Sequence, residues 1–522
     1  MTKMRERVED LEQRRERVRR MGGPERVQRQ HDRGKLTARE RLDRFFDDGR
    51  WFEVGIHGTT MGAGNEDDRK KPPADGVICA FGHVQGRPVC AAAYDFTVKG
   101  GSIGFVGETK VTRMRELALK NRCPMVWLVD SAGARIDPQG AHPDTIALFA
   151  GTGHLFHEQV RMSGVVPQVA AMMGPGAAGT AYVPGLADFV PMVKGIGSMA
   201  LAGPALVKAA TGQAIDEQEL GGSKVHCEVS GVGDVEVESD EACLELIKKY
   251  LSYLPSSCDE KPPVTSSEDP VDRRDEALLD LLPDDTRRPW DMQALVGRLV
   301  DHGDVLEVKP RFGRSLITCF GRIGGRPVGI VANQPRYMGG ALDVDSADKA
   351  ARFMMICDAF NVPLVFLQDV PGFMVGKHVE HQGIIRHGAK MLHVMSAATV
   401  PKITVVVRKA YGAGYYAMCG RAFEPDLLVA WPTAEISVMG AEGMLSIAGR
   451  KMWGDGEPPP EVRDQVLGLI RENINAYKSA GWGLVDDVID PRDTRRVIHE
   501  GLVLAERKRV ERPARRRPVM PV

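Results

Sequence analysis

Gly82-His-Val-Gln-Gly86-Arg87-Pro88-Val89 returns, 239 residues later, as Gly321-Arg-Ile-Gly-Gly325-Arg326-Pro327-Val328. The same offset carries Gly100-Gly101 onto Gly339-Gly340. It also carries Pro124-Met-Val-Trp-Leu-Val-Asp130 onto Pro363-Leu-Val-Phe-Leu-Gln-Asp369. Further on, Val166-Pro167 pairs with Val400-Pro401 at offset 234, and Ala178-Gly179 with Ala413-Gly414 at 235. Chance matches of glycine and proline do not keep register over such a span, so the chain is an internal duplication. Each copy reads as an apolar strand, a Gly-Gly turn and an amphipathic helix (110–120; 347–359). A Pro-led strand ending in Asp follows, then a second helix and a Pro-led strand ending in a Gly-rich turn. Strands alternating with helices predict two similar α/β domains. The Pro/Ser/acid-rich segment 255–270 reads as the linker between them.

The bulk properties suit that reading. A chain of 522 residues is too long for one compact core. A hydrophobic content of 43% with 27% charged residues fits a globular protein. A formal net charge of −1 gives no electrostatic case for nucleic acid. The nine cysteines form no C-x-x-C pair, which leaves free thiols in a reducing, cytoplasmic setting. Glu6, Glu9, Asp10, Glu12 and Glu16 oppose a signal or transit peptide at the Arg-rich N-terminus, so a solvated helix is predicted. Residues 162–187 carry no charge, but Pro167, Pro175 and Pro184 break them, which excludes a membrane span. Thr37-Ala-Arg-Glu40 fits a capping box and predicts a helix start. The tail from Glu506 reads as a basic end.

Two familiar motifs are present only as letters. Gly174-Pro-Gly176-Ala-Ala-Gly179 satisfies G-x-G-x-x-G, yet residues 196–207 lack the acid that would hold a ribose. Gly100-Gly-Ser102-Ile-Gly104 satisfies G-x-S-x-G, but Ala341 stands where the second copy would need the serine. A shared turn explains both copies; a nucleophile explains one. What recurs is a small-residue turn at a strand end, Ala177-Ala178-Gly179-Thr180 and Gly412-Ala413-Gly414-Tyr415. Such turns let backbone N–H groups face a ligand, and adjacent amides at a helix start can hold an oxyanion. Lys99, Arg135, Lys208 and Lys224 are candidate phosphate anchors.

Several long motifs, in order, resemble the carboxyltransferase β subunits of propionyl-CoA and methylcrotonyl-CoA carboxylases. They are Gly34-Lys-Leu-Thr-Ala-Arg-Glu-Arg-Leu42, Asp95-Phe-Thr-Val-Lys-Gly-Gly101 and Asp130-Ser-Ala-Gly-Ala-Arg135 in the first half. The second half has Asp369-Val-Pro-Gly-Phe373, Gly383-Ile-Ile-Arg-His-Gly-Ala-Lys390 and Trp431-Pro-Thr-Ala-Glu-Ile-Ser-Val-Met-Gly440. The resemblance implies two tandem crotonase-like (ClpP/enoyl-CoA hydratase) domains. Residues 1–262 would hold an acyl-CoA thioester, and residues 263–522 a carboxybiotin carried on a partner chain. It further implies a biotin carboxylase/biotin carboxyl carrier α subunit as partner, a hexamer built as a trimer of dimers within an α6β6-type complex, and no metal. Carried over, the Ala178 and Gly179 amides would hold the thioester enolate, and those of Ala413 and Gly414 the biotin urea oxygen. Lys99, Gly100, Gly101, Ala134, Arg135, Gly372, Phe373, Tyr411 and Tyr416 would line the binding sites. The implied reaction carboxylates the acyl group through an enolate with no side-chain base, so His387 and Glu435 are expected to be structural.

Departures concern the substrate. The family usually has Gly-Gly at Ala178-Gly179, and propionyl-type members often carry Asp at Tyr416. No Ala-Met-Lys-Met attachment motif, ATP-binding segment or Cys₄ module is present, so biotin and ATP chemistry belong to other chains. A decarboxylase running the same transfer backwards, a non-catalytic scaffold and a simple hydratase are the competing readings.

Overall fold

The computed structural model describes residues 3–59, 72–135, 154–453, 459–511 and 519–522. The chain divides into two units, Met1–Glu260 and Lys261–Val522.

The first unit has strands β1 (Trp51–Val54), β2 (Val77–Val84), β3 (Arg87–Tyr94), β4 (Met125–Ser131), β5 (Gln168–Ala177), β6 (Pro191–Val193), β7 (Ser198–Ala200) and β8 (Val235–Val237). They form one sheet in the order β1-β2-β3-β4-β5-β6-β8, with β7 paired to β5. The second unit repeats this with β9 (Leu306–Val308), β10 (Leu316–Ile323), β11 (Arg326–Asn333), β12 (Leu364–Val370), β13 (Lys402–Tyr411), β14 (Leu427–Ala430), β15 (Glu435–Ser437) and β16 (Asp487–Val488). Its order is β16-β14-β13-β12-β11-β10-β9, with β15 on β13. The repeated Gly-Arg-Pro segments are hairpins. β2–β3 and β10–β11 pair antiparallel, and β3-β4-β5 and β11-β12-β13 then run parallel. Both tight turns, Gln85-Gly86 and Gly324-Gly325, lie at positive φ, the conformation a two-residue hairpin needs. Each turn is held by one carboxylate, with Asp47 accepting from Gln85 and Gly86, and Asp301 from Gly324 and Gly325.

The central strands are buried on both faces, as parallel sheets covered by helices must be. Met125–Ser131 and Leu364–Val370 are buried throughout. The helices Phe105–Asn121 and Val344–Ala359 follow the two Gly-Gly turns, and each drives a lysine into its core. Lys110 Nζ donates to the Ala74 and Val77 carbonyls (3.0 and 2.7 Å). Lys349, 239 residues on, donates to those of Phe312 and Leu316 (3.0 and 2.7 Å). Desolvation lowers both ammonium pKa values, that of Lys349 to about 8.

The capping box forms with both of its bonds and opens the helix Ala38–Phe45, and the charged N-terminus is a helix, Lys3–Arg19, with no buried residue. No described helix is long and apolar enough to cross a membrane.

Candidate functional site

The charged motifs prove to be internal. Asp130 closes β4 with both oxygens engaged, accepting from Lys35 (2.7 Å), Gln30 (2.8 Å) and Arg41 (3.0 Å). Arg41 is fully buried and reaches on to Asp240 (2.8 Å) and the Met173 carbonyl (2.9 Å). Lys35 and Arg41 of the 34–42 motif thus anchor the N-terminal segment to the first sheet. The glycine at 174, first letter of the apparent dinucleotide motif, is there for Asp130, since a Cβ would lie 1.9 Å from its Oδ1. Asp369 closes β12 in the same place and accepts from Trp290 (2.7 Å) and Arg408 (2.9 Å).

Past these aspartates, the loops after β4 and β12 bend back alike. Ile103 N donates to the Gly133 carbonyl (2.8 Å) and Arg135 N to the Ile103 carbonyl (3.1 Å). Leu342 N donates to Gly372 (3.0 Å) and Met374 N to Leu342 (2.8 Å). Ala134 and Phe373 are bracketed by these bonds, so their own N–H groups point to the opposite side, where β5 and β13 end. Gly133 makes the approach possible; a Cβ there would lie 2.6 Å from the Ala177 carbonyl oxygen. Neither the Ala134 nor the Phe373 amide has an acceptor among the described residues.

The strand ends correct the sequence register. β5 ends at Ala177 and β13 at Tyr411, an offset of 234, and the next residues both take positive φ, 51° at Ala178 and 55° at Gly412. Ala178 therefore corresponds to Gly412, and Gly179 to Ala413, so the sequence pairing at 235 is one residue out. Ala178 also uses its amide on the Ala200 carbonyl (3.1 Å), extending the β5–β7 pairing. The first free amide is that of Gly179, opening the helix Gly179–Leu186. Its counterpart Ala413 lies in the first turn of Gly412–Ala417, with Gly414 beside it. N–H groups there have no intrahelical acceptor. Each unit thus has one helix-start amide and one loop amide at the end of its central strands, those of Gly179 and Ala134 in the first and of Ala413 and Phe373 in the second.

The other candidates divide. Gly100 and Gly101 form the turn that receives Ala132 N at the Gly100 carbonyl (2.9 Å), and Lys99 beside them is exposed. Arg135 turns inward onto Asp75 and Ser102, a direction unlike that of a phosphate anchor. Ser102 donates to the Lys99 carbonyl (2.8 Å), so the apparent nucleophile elbow is a structural turn. Lys208 and Lys224 are exposed. Tyr411 is buried and gives its hydroxyl proton to Glu435; burial first, and then that bond, push the phenol pKa up. Tyr416 is half exposed beside Tyr415 and Phe423. His387 pairs with Asp348 (2.8 Å). Among the described residues no cluster could hold a metal ion.

What such a site can do is hold two separate oxyanions on backbone dipoles, one per unit. Known proteins carry the same frame. The carboxyl transferase domain model matches residues 29–520. The methylmalonyl-CoA decarboxylase α subunit of Veillonella parvula is 41% identical over the whole of both chains. The propionyl-CoA carboxylase carboxyltransferase subunit of Haloferax mediterranei is 40% identical over 99% of this chain and 100% of its own. The crystal structure of transcarboxylase 12S, described as a hexamer with methylmalonyl-coenzyme A and methylmalonic acid bound, superposes with a TM-score of 0.94. It is 43% identical and covers 100% of this chain and 99% of its own.

Proposed function

The chain belongs to the carboxyl transferase family of biotin-dependent enzymes, with two crotonase-fold domains, and we propose that it acts on the propionyl-CoA/methylmalonyl-CoA pair. It would move the carboxyl group between that thioester and biotin on a partner chain. The observation that carries this reading is the paired free amides in matching places of both units. Two of the relatives described above are named for one or other member of that pair, and transcarboxylase 12S is described with methylmalonyl-coenzyme A bound.

The donor set fits biotin at Ala413, Gly414 and Phe373, because a urea oxygen is a neutral acceptor that gains charge and asks for N–H donors. Biotin, when bound, supplies the carboxyl group and the base for the thioester's α-proton. The chain's own part is electrostatic. The Gly179 and Ala134 amides would donate to the thioester oxygen as the α-proton leaves, and each such donor is worth ~10²–10³ in rate. Tyr411 and Glu435 are engaged with each other and His387 with Asp348, which agrees with a reaction needing no side-chain base. Ala178 keeps the turn that aims the Gly179 amide. The first unit would therefore serve the thioester and the second the biotin.

Carboxylation of propionyl-CoA is the first reading. Decarboxylation of methylmalonyl-CoA is the second, favoured by the Veillonella parvula relative. The same amides hold the same enolate in both, so the biotin-bearing partner sets the direction. A biotin carboxylase/carrier subunit and a hexamer complete the proposal; exposed Val375, Ile385, Val438, Trp482 and Leu504 supply apolar surface for such contacts.

The test uses the full chain with its co-purified partner. ATP-dependent fixation of labelled bicarbonate is measured on acetyl-, propionyl-, butyryl- and methylcrotonyl-CoA, beside ATP-independent release of label from methylmalonyl-CoA. Avidin-sensitive labelling of propionyl-CoA supports carboxylation, and avidin-sensitive release supports the second reading. Silence in both, with a biotinylated partner present, refutes the function.

A further inference from the structure

Arg135 ends the loop that carries Ala134, and its guanidinium binds two other segments, at Asp75 and at Ser102. Nη1 pairs with Asp75 Oδ1, Nε donates to Ser102 Oγ (3.1 Å), and Nη2 donates to the carbonyls of Ser102 (2.9 Å) and Asp75 (3.2 Å). The Asp75 side chain is fully buried. Its second oxygen accepts from Gly107 N (2.7 Å), in the first turn of the Phe105–Asn121 helix. Lys110, one turn further along that helix, holds the carbonyls of Ala74 and Val77 on either side of Asp75. The backbone at Ala74 and Asp75 is held at positive φ, 54° and 52°, which non-glycine residues resist. No space remains in the cluster: a Cβ on Gly104 would lie 2.4 Å from Arg135 Nη1 and 2.6 Å from Asp75 Oδ2.

The duplication provides an internal control. At offset 239 the second unit has Arg314 for Asp75, Ala341 for Ser102 and Met374 for Arg135. Arg314 lies over the Tyr337 ring instead, 4.0 Å from its centroid. Yet the second unit builds the same loop with the same backbone bonds. The fold does not require the ion pair, so its retention in one unit alone marks a task of that unit. A guanidinium that makes four bonds to two other segments, one of them charge-assisted to a fully buried carboxylate, restrains a loop far more tightly than two backbone bonds do.

We propose that the Asp75–Arg135 pair, bridged through Ser102, is a positioning device that fixes the Ala134 amide for a charge-bearing thioester oxygen. It rests on the functional reading above and adds residues to the first site. The second site, facing a urea oxygen, works with an aliphatic methionine in place of the arginine. Asp75 and Arg135 touch no substrate; they act through the Ala134 peptide.

Arg135→Met, which installs the second unit's own residue, Asp75→Asn and Arg135→Lys are assayed with the co-purified partner for transfer to or from the acyl-CoA. A misplacement on the 1 Å scale costs about 10²-fold. The expected result is a kcat about 10²-fold lower for Arg135→Met and Asp75→Asn, KM for the thioester nearly unchanged, and partial recovery in Arg135→Lys. Ser102→Ala, also the second unit's residue, guards against misfolding of the others and should lose about five- to tenfold in kcat alone. Unchanged kcat in Ser102→Ala and Arg135→Met overturns the proposal. So does a loss of kcat that tracks a loss of melting temperature with no recovery in lysine. Wild-type protein that transfers nothing in either direction overturns the functional reading, and this one with it; active wild type with indifferent variants overturns this one only.

Discussion

Ala178 is an L-residue held where glycine belongs, and replacing it tests the register that links the two halves. Its φ of 51° and ψ of −118° lie outside both helical basins. Such a conformation stores ~1–3 kcal/mol in a non-glycine residue. Ala178→Gly releases that strain while giving the unfolded chain more freedom, which costs about 0.4–1 kcal/mol. The net is a stabilisation of about 1 kcal/mol, or about 2–4 °C in the melting temperature of a unit of this size. Gly412→Ala is the mirror experiment. It meets the same strain at φ 55°, and its Cβ would sit 3.0 Å from the Val438 carbonyl oxygen, so a loss of about 2 kcal/mol follows. Calorimetric melting of both variants at one fixed chain concentration, which removes the mass-action effect of assembly, should move the transition in opposite directions. A lower melting temperature in Ala178→Gly, or a higher one in Gly412→Ala, would refute the equivalence of the two positions.

Ala413→Pro removes one amide donor where proline is sterically tolerated, in the first helical turn. Transfer should fall by at least ~10² with circular dichroism unchanged, measured in the reconstituted complex. Arg41→Leu leaves Asp130 and Asp240 buried without their shared guanidinium and should cost about 3–5 kcal/mol, read from denaturant unfolding. Lys349 has a folded pKa near 8 against 10.5 when unfolded. Between those values the unfolded chain binds the extra proton, so this lysine's contribution raises stability as pH climbs. Relative to Lys349→Met, the wild type should gain up to roughly 1.4 kcal/mol per pH unit between pH 8 and 10.5; equal slopes would contradict the burial argument.

The duplication was legible because an offset of 239 survives in glycine, proline and aspartate, the residues that turn chains and end strands. The candidate oxyanion turn was legible to within one residue. Its Ala-Gly letters match in both halves, and that identity hid the constant 234 offset, since nothing in the letter Ala announces a positive φ. Arg135 read as a phosphate anchor because a sequence shows charge and not partner; Asp75 lies 60 positions upstream. The Lys110/Lys349 pair kept the 239 offset and could have been found, but lysines at helical spacing look like solvated surface until the core is seen around them.

The twin sheets also bear on how the chain is made. Two units of one topology on one polypeptide can exchange strands while they fold, a failure typical of tandem domains. The equivalent central strands differ in bulk: β3 presents Cys90-Ala-Ala-Ala93, and β11 presents Gly329-Ile-Val-Ala332. A β11 strand seated in the first sheet would overfill a core shaped for alanines, and β3 in the second would leave voids. Divergence in side-chain volume thus acts as a lock that keeps each strand with its own neighbours. The amino-terminal half, emerging first from the ribosome, can close before its near-twin offers a rival.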